Sequence, residues 1–121
     1  MSAKTQGEME AEFTRAMIQM EKDYLGRGPE VARTLFIDDM IIVRLQGILT
    51  RAEIKLAEVE DGRELIKETR RKLFESAREH IEAMVEDIVG ARLLSLHTDV
   101  STRSGERVIM LIVDENLSTR F

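Results

Sequence analysis

The stretch Gly26–Glu53, GRGPEVARTLFIDDMIIVRLQGILTRAE, constrains the fold more than any other part of the chain. Gly26 and Gly28 can take the left-handed conformation that closes a helix, and Pro29 lacks the N–H needed to continue one, so a preceding helix must stop here. Two runs rich in strand-forming residues follow, VARTLFI and MIIVRLQ, separated by Asp38-Asp39. Short acidic side chains bond their own backbone and tolerate strained dihedrals, so this pair reads as the turn of a β-hairpin. After Gly47, Thr50 with Glu53 three residues on forms a capping box, which predicts a helix start at about Thr50.

Upstream, Thr5 with Glu8 is a second capping box. Met9, Phe13, Ala16, Met17, Met20 and Tyr24 then recur at helical spacing and predict an amphipathic helix over about 8–25. The stripe is rich in methionine, which suits a promiscuous binding face, but a core-facing or dimer-facing stripe is its simpler meaning. From Thr50 to Val89 the pattern is helical, with a break expected at Glu60-Asp61-Gly62, where glycine weakens a helix by about 1 kcal/mol relative to alanine. In the long second part, Leu65, Ile66, Thr69, Leu73, Ala77, Met84 and Ile88 fall on one side, which is the expected buried face. Arg63, Lys67, Arg70, Arg71 and Arg78 form a basic strip beside it, and a row of glutamates occupies the far side. Forked guanidinium groups suit carboxylate and phosphate oxygens, so the strip is a candidate anion or acidic-partner site. The simpler meaning is that such side chains lay their methylenes along a core edge and pair with glutamates one turn away.

Gly90 closes this helix, and a second hairpin follows in ARLLSLHTDV, the loop STRSGE and RVIMLIVD. The chain thus reads α-β-β-α-β-β: an α+β domain with a four-stranded antiparallel sheet and helices packed on one face. It forms a single domain over 1–121, with 1–7 and 115–121 as tails able to fray. MIIVRL and RVIMLIV are apolar on both faces, whereas half-exposed strands alternate, so both should lie in the middle of the sheet with both faces covered. Helices cover one face. A second copy is the economical cover for the other, which predicts a homodimer with Val108, Ile109, Met110, Leu111 and Ile112 as the candidate interface strand.

Composition narrows the function. With no cysteine, disulfides, thiolate metal sites and cysteine nucleophiles are excluded, which fits a reducing cytoplasm. A net charge of -5, one tyrosine and no tryptophan argue against a nucleic-acid partner. No window approaches the roughly 20 apolar residues of a membrane span, and the N-terminus has no apolar run of the signal-peptide kind, so a soluble chain without membrane insertion is expected. Nucleotide-binding loops, zinc-protease motifs and nucleophile elbows are all missing, and no catalytic residue, cofactor or metal is expected. His80 reads as structural. His97 and Asp99 share one face of a strand and, with Arg103 and Arg107, form a candidate ligand or partner site: an acid/base, its orienter and anion-holding charges. Asp38 and Asp39 suit a cation less well than they suit a turn.

The order GRGP, IDDMIIVRLQGILTRAE, EDGRELIKETRR and LHTDVSTRSGERVIMLIVDENL resembles the MpsC-like family. This bacterial group was first treated as a domain of unknown function and later named for a Na+-translocating, membrane-potential-generating system. The likeness runs from about residue 8 to residue 117. Its most specific pieces are Gly26–Pro29, the Leu49-Thr50-x-x-Glu53 turn, and His97-Thr98-Asp99 with Gly105-Glu106-Arg107. The resemblance implies a soluble accessory protein associated with membrane transport systems for sodium or inorganic carbon, cytoplasmic and peripheral to the inner membrane only through a partner. It supplies no active site. Two expectations follow: a non-enzymatic interaction protein, and as the alternative a small-anion sensor or enzyme using His97, Asp99 and the neighbouring arginines.

Overall fold

The computed structural model describes residues 4–121. Helix α1 spans Gln6–Leu25 and starts at the Thr5–Glu8 capping box, with both reciprocal bonds made. Gly26 ends it in the left-handed conformation, φ 78°, as the sequence predicts. Gly28 is not left-handed. It lies instead against Lys22, where an added Cβ would sit 3.0 Å from that side chain's Cε.

Strands β1 (Val31–Ile37) and β2 (Met40–Gln46) form the first hairpin, and Asp38 takes φ 54° at its two-residue turn. The turn is stapled from the other end of the chain. Leu117 donates its N–H to the Asp38 carbonyl at 2.6 Å, and Ser118 Oγ accepts from the Asp38 N–H at 2.7 Å. Leu117 is fully buried.

Helix α2 (Arg51–Leu56) starts at the Thr50–Glu53 capping box, again with both bonds made. The predicted break comes slightly earlier than Gly62, between α2 and α3 (Glu60–Ser76). Gly62 lies in the first turn of α3 for a reason other than weak helix propensity: a Cβ there would sit 1.9 Å from the Leu56 carbonyl oxygen. Only glycine lets the two helices meet so closely. Helix α4 (Arg78–Met84) and a π-helical turn (Val85–Val89) continue to Gly90, which is left-handed at φ 72°.

Strands β3 (Leu93–Ser101) and β4 (Glu106–Val113) complete one antiparallel sheet of order β1-β2-β4-β3. The two doubly apolar strands are central, as expected. Helices cover one face, where Phe13, Met17, Phe74, Ile81 and Val85 meet Ile41, Val43, Leu45, Ile109 and Leu111. The methionine stripe of α1 is therefore core: Met17 and Met20 are buried. α1 also caps one residue of edge strand β1: Glu10 Oε2 accepts from the Phe36 N–H at 2.7 Å and Gln6 Nε2 donates to the Phe36 carbonyl at 3.1 Å. Such capping blunts a sheet edge against strand addition.

Candidate functional site

A cavity of about 630 Å³ opens at the end of the sheet where three connections meet. The 26–30 turn brings Arg27 and Glu30, the start of α2 brings Arg51, and the β3–β4 turn brings Arg103 between Thr102 and Ser104. Backbone bonds tie these connections together: Glu30 N–H donates to the Gln46 carbonyl at 2.8 Å and Ile48 N–H to the Gly105 carbonyl at 3.1 Å. Arg27 donates to the Leu49 carbonyl at 3.0 Å and reaches Glu30 at 3.4 Å. Leu49, Ile54 and Ala57 supply an apolar wall.

Behind this rim lies a buried charged cluster that sequence reasoning missed. Arg70 is 4% exposed, and it donates to both carboxylate oxygens of Glu53 at 2.7 Å and to the Ile48 carbonyl at 2.9 Å. Arg107, 1% exposed, donates to Thr98 Oγ1 at 2.9 Å and stacks 4.3 Å over the Phe74 ring. Its Nε stands 3.9 Å from Glu21 Oε1, within electrostatic reach but too far for a hydrogen bond. Glu21 Oε1, Arg70 Nη1 and Arg107 Nε are all buried without a hydrogen-bond partner.

Burial raises the Glu21 carboxyl above its ordinary pKa, although Arg107 and Arg70 pull the other way. Burial, aided by the charge of Arg70, pushes Arg107 down to about 10 against the attraction of Glu21 and Asp99. Burial also raises Glu53, but the bonds from Arg70 and Thr50 outweigh it and hold the carboxyl below its usual value. Spacing could have revealed Glu21, because it follows Phe13 and Met17 at helical intervals on the apolar stripe.

The expected basic strip does not form one surface. Arg70 is core, while Lys67, Arg71 and Arg78 are exposed and pair with Asp99, with Glu68 and Glu75, and with Glu82. Arg63 bonds the Ala57 carbonyl at 2.9 Å. The buried stripe of α3 runs through Gly62, Ile66, Arg70 and Phe74, leaving Leu65 and Leu73 exposed. The correction has a physical cause: anchoring Arg70 to Glu53 and Ile48 turns the helix away from the phase its leucines suggested.

His97, Asp99, Arg103 and Arg107 do not converge. Asp99 and Arg107 border one cleft of about 280 Å³ between α3 and β3, His97 borders its neighbour of about 390 Å³, and Arg103 borders the large cavity. Arg107 points to the helix side of the sheet, whereas His97 and Asp99 are exposed on strand positions of the opposite sense. His80 lies beside Tyr24, ring centroids 5.9 Å apart. Among the described residues no group of three or more His, Asp or Glu could hold a metal ion.

The sheet face away from the helices is a grid of aligned positions. One row across β1, β2, β4 and β3 is Leu35, Ile42, Met110 and His97, and the next, towards the β1–β2 turn, is Ile37, Met40, Ile112 and Ser95. On the other side lies Arg33, Arg44, Val108 and Asp99, then Val31, Gln46, Glu106 and Ser101. One half of the face is thus apolar and the other polar, with Arg44 bonded to Glu106 at 2.8 Å. Of the expected interface strand, Val108, Met110 and Ile112 lie here, while Ile109 and Leu111 face the helices and are fully buried.

The family model of the Na+-translocating membrane potential-generating system (MpsC) matches residues 5–115. Uncharacterized protein YbcI of Bacillus subtilis (strain 168) is 44% identical over 107 residues, covering 88% of this chain and 86% of that protein. Uncharacterized protein YrhF of the same organism is 28% identical over 108 residues, covering 88% of each. No solved structure matches the chain.

Proposed function

The chain belongs to the MpsC family, and from that premise we propose that it is a non-enzymatic interaction protein, homodimeric through the open sheet face, which serves a Na+-translocating membrane system as a cytoplasmic accessory. Among the described residues no helix is long and apolar enough to cross a membrane, so its contribution is contact with a membrane partner rather than a conduit. The dispersal of His97, Asp99, Arg103 and Arg107 among three clefts speaks against the alternative of one catalytic constellation.

The observation that carries the reading is the pattern of the open face. Leu35 and Ile37 are 36% and 40% exposed, contiguous with the half-buried Met40, Ile42, Met110 and Ile112. A contiguous apolar block of this kind on a soluble surface marks an interface. A second copy fits it better than an unrelated partner because the face is self-complementary. Turning a copy about a twofold axis parallel to the strands, between the two sheets, sets β1 against β3 and keeps every row at its own level. Apolar rows then meet apolar rows, and Arg33 at one edge of its row meets Asp99 at the other edge of the partner's. An axis between the sheets but across the strands, through the middle of the face, would set the apolar half on the polar half. The capping of Phe36 by α1 also disfavours strand addition at the turn end of β1.

Sedimentation equilibrium at micromolar concentration tests this. The wild type should sediment as a dimer of the 13.9 kDa chain, and Met110→Asp as a folded monomer. Arg33→Asp alone should weaken the dimer, and Arg33→Asp with Asp99→Arg should restore it, since exchanging both signs re-forms the cross-copy pair. A monomeric wild type would refute the dimer, and failure of the exchange would refute its axis. For the accessory role, affinity purification from the native host should recover a polytopic transport protein; recovery of only the chain itself would count against it.

A further inference from the structure

We propose that the cavity between Arg27, Arg51 and Arg103 binds a small organic molecule carrying a multiply charged oxyanion, of the phosphate-ester class. Three guanidinium groups line it against one carboxylate, Glu30. Arg27 is committed to Glu30 and to the Leu49 carbonyl, which makes it a fixed wall. Arg51 and Arg103 have no carboxylate within 4 Å among the described residues, as is also true of Arg15, Arg33, Arg63 and Arg92, but only these two share a cavity, whereas Arg44, Arg70, Arg71, Arg78, Arg107 and Arg120 each have at least one. In an acidic chain of net charge -5, two unneutralised arginines facing one cavity make a local positive field. Planar guanidinium forks match the oxygens of phosphate, and the hydroxyls of Thr102 and Ser104 add neutral donors beside them.

The other wall defines the rest of the ligand. Leu49, Ile54 and Ala57 are apolar, and Ile54 is 58% exposed on a short helix. The volume, about 630 Å³, lies in the range of small-molecule sites and far exceeds a bare phosphate ion. An ester with an apolar or aromatic body would fill the wall as its head meets the arginines. The site is also preorganised. Arg27 holds the Leu49 carbonyl, Arg70 holds the Ile48 carbonyl from behind, and Ile48 N–H is bonded to Gly105 across the β3–β4 turn. The backbone frame therefore needs little ordering on binding, and the remaining cost is that of fixing the exposed Arg51 and Arg103 side chains.

Isothermal titration calorimetry on the full chain at low salt, with phenyl phosphate and inorganic phosphate as probes, tests the site. Phenyl phosphate should bind with a Kd of about 1 mM or tighter, about tenfold tighter than inorganic phosphate. The double variant Arg51→Gln with Arg103→Gln should lose about tenfold or more in affinity for phenyl phosphate while keeping the wild-type urea midpoint, because neither side chain is paired within the fold. Absence of saturable binding would overturn the site, and unchanged affinity in the double variant would place the anion elsewhere. Equal affinity for the two probes would overturn the ester and leave only an oxyanion. Met110→Asp, remote from the cavity, should bind phenyl phosphate like the wild type, so failure of the dimer and failure of this site are separable.

Discussion

Replacing Arg70 by alanine should destabilise the protein severely, although the residue sits among surface charges in the sequence. Its guanidinium makes three bonds, two to Glu53 and one to the Ile48 carbonyl, at 4% exposure. Removing one partner of a fully buried ion pair costs about 3–5 kcal/mol because the other charge is left uncompensated. Glu53 keeps 22% side-chain exposure and its bonds with Thr50, so water and the cap take up part of the loss. A cost of about 2–4 kcal/mol remains. With a urea slope of about 2 kcal/mol/M, the unfolding midpoint followed by circular dichroism should fall by about 1–2 M at fixed protein concentration. Arg70→Met with Glu53→Gln should recover most of this, since no buried charge is stranded and glutamine still completes the capping box. A single variant within about 0.5 kcal/mol of wild type, or a double variant as unstable as the single, would refute the reasoning. Arg70→Glu, which a solvated strip would tolerate, should prevent folding by setting a second carboxylate against Glu53.

Gly62→Ala should destabilise by about 2 kcal/mol or more despite alanine's better helix propensity, because its Cβ would meet backbone, the Leu56 carbonyl oxygen, at 1.9 Å; an increase in Tm would disprove the close approach. Ile109→Asp should unfold the monomer, since Ile109 is fully buried, and so differ from Met110→Asp in near-ultraviolet circular dichroism; two alike spectra would contradict the assigned faces. Glu21, whose pKa is raised by burial, binds its proton more tightly folded than unfolded, so its contribution falls as pH rises above about 4.5. Glu53 has the opposite sign, its pKa being lowered, so its contribution is present above about 4.5 and is lost as pH falls through its folded value. Comparing Glu21→Gln with wild type cancels the Glu53 part. The variant should gain on wild type in urea midpoint between pH 4.5 and 7.5, and the reverse trend would mean that attraction to Arg107 outweighs burial.

Local elements were legible because a few neighbouring residues carry them. Thr5 with Glu8 and Thr50 with Glu53 place two helix starts, Gly26 and Gly90 place two stops, and Asp38-Asp39 places a turn; each acts through hydrogen bonds or dihedrals within a few positions. The apolar character of both faces of β2 and β4 likewise places them centrally, since burial on two sides leaves that signature in one strand alone. What the tertiary structure decided is rotation and convergence. The rotation of α3 follows from Arg70 meeting Glu53 and Ile48 across 17 and 22 residues, and no period within α3 records it. Alternation showed that Ile109 and Met110 face opposite ways, but only helices packed against the sheet settle which of the two is buried. Arg27, Arg51 and Arg103 lie on three separate connections, and they share a cavity because the order β1-β2-β4-β3 brings those chain ends to one end of the sheet. Short-range hydrogen bonding and periodicity are properties of a segment, whereas a shared cavity or a buried ion pair is a property of the register between segments, and that register exists only once they have packed.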